Sequence, residues 1–339
     1  MKILLIRFSS IGDIVLTTPV IRCLKQQLGA EVHYLTKQSF HTVLAANPHI
    51  DRIYTIQKKV KEVLTALKSE KYDVVIDLHH NLRSWQVKLG LGVKSYTFDK
   101  LNFEKWLMVN FKINRLPNIH IVDRYLATVK SLGVINDGKG LDYYISESDE
   151  FDVSHLTFDV QFPHPPILPF SHPPILSSSY VAFVIGAAHA TKRLPTEKII
   201  SICKKIQHPI ILLGGPEDAD RGEIIVKEAG NHVINACGKL KLNQSASLVR
   251  QAWKVITHDT GMMHIAAAFN KDIISAWGNT IPEFGMYPYY PKGEDENITL
   301  EVKGLPCRPC SKIGYEKCPK GHFKCMWEID EQQIISNLK

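Results

Sequence analysis

The sequence contains no run of some 18 apolar residues, which excludes a transmembrane helix by length. It has no basic amino-terminal region leading into an apolar stretch, so no signal peptide is expected. No motif of an RNA- or DNA-binding module occurs, and the basic residues are dispersed. Seven cysteines, an odd number in a chain without a secretory signal, point to reduced thiols. Glycine is scarce at one telling place. Lys2 to Arg7 reads as a buried strand and Ile14 to Leu28 as a helix, with "FSSIGD" between them. Dinucleotide-binding folds put three glycines at such a crossing, so that a pyrophosphate can approach the backbone. Here Gly12 stands alone and is followed by Asp13. A carboxylate occupies the place where comparable folds receive an anion.

What is present fits an ordinary two-domain protein. The 339 residues allow two domains of about 150 residues each, and 45% hydrophobic with 22% charged residues is a globular composition. The net charge of +7 suits anionic partners such as phosphates, nucleic acid or membrane headgroups without choosing among them. The densest basic run, Lys58 to Lys71, has the spacing of an amphipathic helix with a solvated face.

Strand-like runs "ILLIR", "EVHYLT", "DRIYTI", "DVVIDL" and "KSYTF" alternate with helix-like runs, which predicts a parallel sheet covered on both faces. Leu101 to Leu116 carries Phe103, Trp106, Leu107 and Phe111 at helical spacing. It reads as a packed helix, with a membrane-surface helix as the alternative. The alternation stops at "FPHPPILPFSHPPILSSS", where "HPPIL" occurs twice and consecutive prolines rule out a helix or central strand. It then resumes with "YVAFVIG", "PIILLGG", "HVINAC", "KVITH" and "DIISAWG". The expected organisation is an α/β chain of two doubly wound units: residues 1–160, a linker over 161–179, a second unit over 180–325 and a terminal helix over 326–339. Open parallel sheets bind ligands outside the carboxyl ends of their strands, so a cleft between two such edges is expected.

Several strand ends carry polar residues. "KVITH" runs into Asp259, Thr260 and Gly261, followed by a small-residue helix with His264 in its first turn. That is either an anion site on free N–H groups or a capped core helix with one buried histidine. "GAAHATKRLP" places Lys192 and Arg193 after a strand, where a cation could neutralise a phosphate or simply be solvated. "LLGGPED" offers Glu217, either for two ribose hydroxyls or as a turn acid. "DLHHNLRS" brings His79, His80, Asn81 and Arg83 off a buried strand, more polar groups than a turn requires.

Together these pieces resemble the ADP-heptose:lipopolysaccharide heptosyltransferase family, the inverting glycosyltransferases of family 9. "FSSIGDIVLTTPVIRCLK" is similar to that family's amino-terminal signature, and "DTGMMHIAAAF" with "WGNTIPEFGMYPY" to its carboxy-terminal one. The resemblance implies the GT-B architecture, with acceptor bound mainly by the first Rossmann-like domain and nucleotide sugar by the second. It implies Asp13 as general base and Lys192 as the cation offsetting the leaving diphosphate. Thr260 and Gly261 would donate to the phosphates, Asp259 and His264 face the donor sugar, and Glu217 hold the ribose. Arg83 and Asn81 would serve the acceptor side. No metal or other cofactor is implied.

The implied partners are a nucleotide-diphosphate sugar and a phosphorylated lipid-linked saccharide. The implied place is the cytoplasmic face of the inner membrane, in peripheral contact with it and without nucleic acid. A nucleotide-sugar epimerase and a non-catalytic nucleotide-binding protein are the alternatives. Cys307, Cys310, Cys318 and Cys325 form C-x2-C-x7-C-x6-C with His322 inside it. They could hold structural zinc, pair as disulfides, or remain reduced thiols in a loop. Nothing in the sequence places that loop beside the reacting groups.

Overall fold

Each apolar run becomes a parallel strand in the computed structural model, which describes residues 1–153, 156, 180–294 and 297–338. The expected linker 161–179 lies outside the described residues. The chain divides into two compact units. The first comprises Met1–Ser146, Ala267–Asn270 and Pro282–Asp295, the second Glu147–Ala266, Lys271–Ile281 and Glu296–Lys339.

The first unit runs β1 (Lys2–Ile6), α1 (Ile11–Val15), α2 (Thr18–Leu28), β2 (Glu31–Lys37), β3 (Arg52–Ile56), α3 (Leu64–Ser69), β4 (Val74–Asp77), α4 (Leu82–Leu91), β5 (Lys94–Thr97), α5 (Asn102–Phe111) and α6 (Ile121–Ala127). Its sheet has the order β3-β2-β1-β4-β5, with every pairing parallel. Ile3, Leu4, Leu5 and Ile6 are fully buried, as a strand covered on both faces requires. The chain starts at the centre, builds outward to β3, then crosses back to β4. The loops after β1 and β4 therefore part at the switch point, where open parallel sheets hold ligands.

The second unit runs β6 (Val181–Val184), α7 (Thr196–Lys205), β7 (Ile210–Leu213), α8 (Ala219–Ala229), β8 (Val233–Asn235), α9 (Leu242–Gln251), β9 (Lys254–His258), α10 (Gly261–Ala268), β10 (Asp272–Trp277), β11 (Asn297–Glu301), α11 (Lys324–Trp327) and α12 (Glu331–Ser336). The order β11-β10-β9-β6-β7-β8 is again wholly parallel. Its switch point falls between β6 and β9. The terminal segment is tied to this unit: Ile334 and Leu338 join its core, and Glu331 accepts hydrogen bonds from Ser201 and Lys205 of α7.

Four expectations are corrected. The helix Ile14–Leu28 is two helices, because Thr17, Thr18 and Pro19 end one and start the other, and proline at a first turn gives up no hydrogen bond. The basic run 58–71 is helical only over α3 and a 3-10 turn at Val60–Glu62, where Glu62 folds back onto the N–H groups of Gln57, Lys58 and Lys59. β11 was not foreseen: "NITLE" is an edge strand that buries only Leu300, so it lacks a long apolar run. The helix at 101–116 is shorter, ends at a left-handed Lys112, and buries none of its side chains. Periodicity located that apolar stripe but could not say what it faces. No helix among the described residues is long and apolar enough to cross a membrane.

Candidate active site

At the switch point of the first unit, the loop after β1 turns directly into α1. Asp13 lies in the first turn of α1, and its Oδ2 accepts hydrogen bonds from the Ser10 N–H at 3.1 Å and the Ser10 hydroxyl at 2.7 Å. Its Oδ1 lies 2.6 Å from Arg7 Nη2. Arg7 follows β1, is 8% exposed, and donates to Ser9 O, Leu78 O and the Tyr125 hydroxyl. Burial alone would push the Asp13 carboxyl up. The Arg7 charge and the two Ser10 hydrogen bonds overcome that and bring it down to about 2. The side chain keeps 19% exposure, so a ligand can still reach it. Arg7 is the residue that sequence reasoning missed. An arginine closing an apolar strand reads as ordinary surface charge, and only the fold turns it inward.

The loop after β4 is partly its own scaffold. Asp77 Oδ1 accepts the N–H groups of His79 and His80, and its Oδ2 pairs with Lys88 at 2.9 Å. Asn81 is the N-cap of α4: its Oδ1 accepts the Ser84 N–H, and Ser84 Oγ accepts the Asn81 N–H. Three of the polar side chains in "DLHHNLRS", Asp77, Asn81 and Ser84, thus satisfy the turn itself. Arg83 is exposed on the first turn of α4. His79 packs edge-on against Phe8. Burial and the nearby charges of Arg7 and Lys100 push its pKa down to about 4, so at neutral pH it carries no charge.

In the second unit the loops after β6 and β9 meet across the switch point. Lys192 Nζ lies 2.6 Å from Asp259 Oδ2, which also accepts the Thr280 hydroxyl at 2.8 Å. Thr260 and Gly261 open α10, with the Thr260 and Thr257 hydroxyls 3.4 Å apart. His264 is 2% exposed on α10. Glu217 is exposed, whereas its neighbour Asp218 is fully buried. Asp218 accepts the Gly215 N–H and pairs with Arg193 at 3.3 Å. The structure therefore brings Lys192 and Asp259 into contact, sets Thr260 and Gly261 beside them in sequence at the helix start, and leaves Glu217 on its own loop.

Two further residues hold the Lys192 loop and carried no sequence signal. His258, fully buried at the end of β9, accepts the Leu194 N–H on Nε2 at 3.0 Å. Burial, with Arg221 and Arg193 close by, lowers its pKa to about 3 and fixes it as a neutral acceptor. Arg221 donates to Thr196 Oγ1 and to the carbonyls of Ile185 and Leu194.

The cysteine loop lies against these strand ends, a placement that no motif in the sequence indicates. The Tyr315 N–H donates to Thr191 Oγ1 and the Thr191 N–H to Tyr315 O. Arg308 donates to the carbonyls of Gly278 and Thr280, and the Cys310 N–H to Asn279 O. None of the seven cysteines, all of them among the described residues, is joined in a disulfide. Cys307 Sγ is 3.7 Å from His322 Nε2. Burial first, and then the neighbouring thiols, push Cys325 up to about 12. Among the described residues, the set of potential metal-ligand atoms gathered within 4.8 Å is Glu31, His33 and Glu70, not these thiols. Lys2 and Arg52 already neutralise that acidic set, each at 2.7 Å from Glu70.

Two open parallel sheets, each with ionised side chains fixed at its switch point, define a ligand-handling α/β protein of the two-Rossmann-domain class. A family model described as glycosyltransferase family 9 (heptosyltransferase) matches residues 60–315, and the chain belongs to that family. It is 23% identical to lipopolysaccharide heptosyltransferase 1 of Campylobacter coli, over 100% of this chain and 98% of that protein. Its fold is similar to the solved glycosyl transferase family 9 structure from Veillonella parvula, with a TM-score of 0.74 and 24% identity over 99% of this chain and 95% of that one. It is also similar to E. coli ADP-heptose lps heptosyltransferase II, with a TM-score of 0.71 and 18% identity over 100% and 97%. The chain is a glycosyltransferase with the GT-B fold.

Proposed function

We propose that this glycosyltransferase moves a heptose from ADP-heptose to a lipopolysaccharide-core or other lipid-linked saccharide. Transfer would invert the anomeric centre and need no divalent metal, at the cytoplasmic face of the membrane. The donor and the acceptor class are those of the heptosyltransferases that the chain resembles. The chemistry rests on one observation: Asp13 is a carboxylate clamped by Arg7 and Ser10 at the mouth of the central strand.

In this reading an acceptor hydroxyl attacks the anomeric carbon as the bond to the diphosphate oxygen breaks, and the hydroxyl proton passes to Asp13. A carboxyl with a pKa of about 2 is a weak base. It suits a loose transition state in which the bond to the leaving group is largely broken before the proton moves. Lys192 then offsets charge on the departing diphosphate, exchanging part of its contact with Asp259 for a phosphate oxygen. The Thr260 hydroxyl and the first N–H groups of α10 add donors to the same phosphates. Asp259 and His264 serve the donor sugar and Glu217 the ribose. Arg83 attracts a phosphorylated acceptor, and the Asn81 amide nitrogen, which its cap does not use, is available to a sugar hydroxyl.

Replacing Asp13 by Asn keeps the shape but leaves one accepting oxygen where two accept here, and it cannot take the proton. Turnover should fall about 10³-fold while ADP-heptose binding stays within about threefold of the parent. The Arg7 ion pair favours a second role, in which Asp13 only orients the turn. In that case the Asn variant keeps turnover within about tenfold, and Asp13 leaves the base position. Incubation with donor alone separates transfer from epimerisation, because an epimerase forms isomer or free nucleotide without acceptor.

A further inference from the structure

We infer that α5 docks the first unit onto an anionic lipid bilayer, lying in the interfacial plane with Phe103, Trp106 and Phe111 as its anchors. The helix has ten residues and buries none of them, although six are large and apolar. Phe103 is 60% exposed, Trp106 50% and Phe111 58%. Phe103 stacks on Trp106 at 6.2 Å and Trp106 meets Phe111 edge-on at 5.2 Å, so the three rings form one continuous row. An isolated helix of this length is marginal in water. Leu107, Met108 and Val109 are half-buried, but the aromatic row lacks the burial that stabilises most helices of its kind.

The contrast with α4 shows that this is not the ordinary exposure of a surface helix. α4 also exposes Leu82, Trp85 and Leu89, yet it seats Val87 in the sheet core and ties Lys88 to Asp77. On α5 the side turned to its own unit is only half-buried, through Leu107, Met108 and Val109, with the Lys105 ammonium 6.0 Å from the Phe284 ring centre.

The chemistry around the rings selects the occupant. From Lys100 to Arg115 the basic residues are Lys100, Lys105, Lys112 and Arg115, against the single acid Glu104. The adjacent Asp99 is turned onto the Leu101 N–H. Aromatic rings flanked by lysine and arginine are the composition of a helix lying at a lipid headgroup boundary, where rings enter the acyl edge and cations meet anionic headgroups. A protein-facing helix would carry the same rings without needing the surrounding positive charge.

The test is flotation of the full chain with vesicles of phosphatidylethanolamine and phosphatidylglycerol, compared with vesicles of phosphatidylcholine alone. The parent should float with the anionic vesicles, lose binding as salt is raised, and bind the neutral vesicles weakly. The combined variant Phe103→Ser, Trp106→Ser and Phe111→Ser should bind the anionic vesicles on the order of tenfold more weakly. It should melt with the parent's cooperativity and retain its thermal shift with ADP-heptose. The proposal is overturned if the parent stays unbound, if the variant floats equally well, or if sedimentation shows the parent self-associating through this face while the variant is monomeric. Donor binding is read separately, so failure of the docking leaves the reaction assignment to its own experiment.

Discussion

Arg7 and Asp13 form a unit whose charge is set by its surroundings. Asp13 titrates at about 2 in the fold against an ordinary 3.8, so the native state binds this proton more weakly than the unfolded chain does. The pair's contribution is therefore fully present above about pH 4 and disappears as pH falls through about 2, on the order of 2 kcal/mol in all. Acid unfolding of the parent and the Asp13→Asn variant should converge across that window. Replacing Arg7 by Leu leaves a carboxylate with little water, held by Ser10 but with no opposite charge beside it. Chemical denaturation should then show a loss of about 3 kcal/mol, larger than for the Asp13 change. In the second unit the buried acid is Asp218, while Glu217 remains at the surface. Adjacent carboxylates in "GGPED" look alike as letters, and only packing separates a scaffold acid from an available one.

At the scale of the element, the turn after β7 works because one glycine within it and another after β6 make room for that scaffold acid. A Cβ built on Gly186 would come 2.3 Å from Asp218 Oδ2, and one on Gly214 would lie 2.8 Å from Asp218 Cβ. Gly214→Ala should therefore cost about 1–3 kcal/mol, seen as a lower melting temperature. It should also weaken donor binding, because Asp218 holds Arg193 and Arg193 donates to Ala187 O in the loop that presents Lys192. The same scale explains what periodicity missed. A 3.6-residue stripe is written identically whether it is buried against a sheet, as in α2 and α7, or leaves its rings exposed, as in α5. The two thiols of "CRPC" gave no hint that their loop would brace Thr191 and Thr280.

At the scale of the whole molecule, the chain returns to its first unit late. Ile121 donates to Gly285 O, His120 Nε2 lies 2.9 Å from Tyr287 O, and the Tyr289 hydroxyl donates to Asp123. A fragment ending at Ser146 lacks residues 282–294 and should not show a cooperative melt by circular dichroism. Joining that segment through a flexible linker should restore one.

The sequence by itself determined the two parallel sheets, since strands buried on both faces must be short unbroken apolar runs separated by helices. It also placed Asp13, Lys192 and Asp259 at strand ends, because the chain leaves a parallel strand only there. Tertiary structure alone decided which charges meet. Arg7 and Asp13 are near in sequence, but Arg7 turns inward only because Leu78 and Tyr125 receive it; Lys192 finds Asp259 only because β6 pairs with β9. Ionic and hydrogen-bonded contacts depend on distances of a few ångströms between remote segments, and hydrophobic pattern carries no record of those.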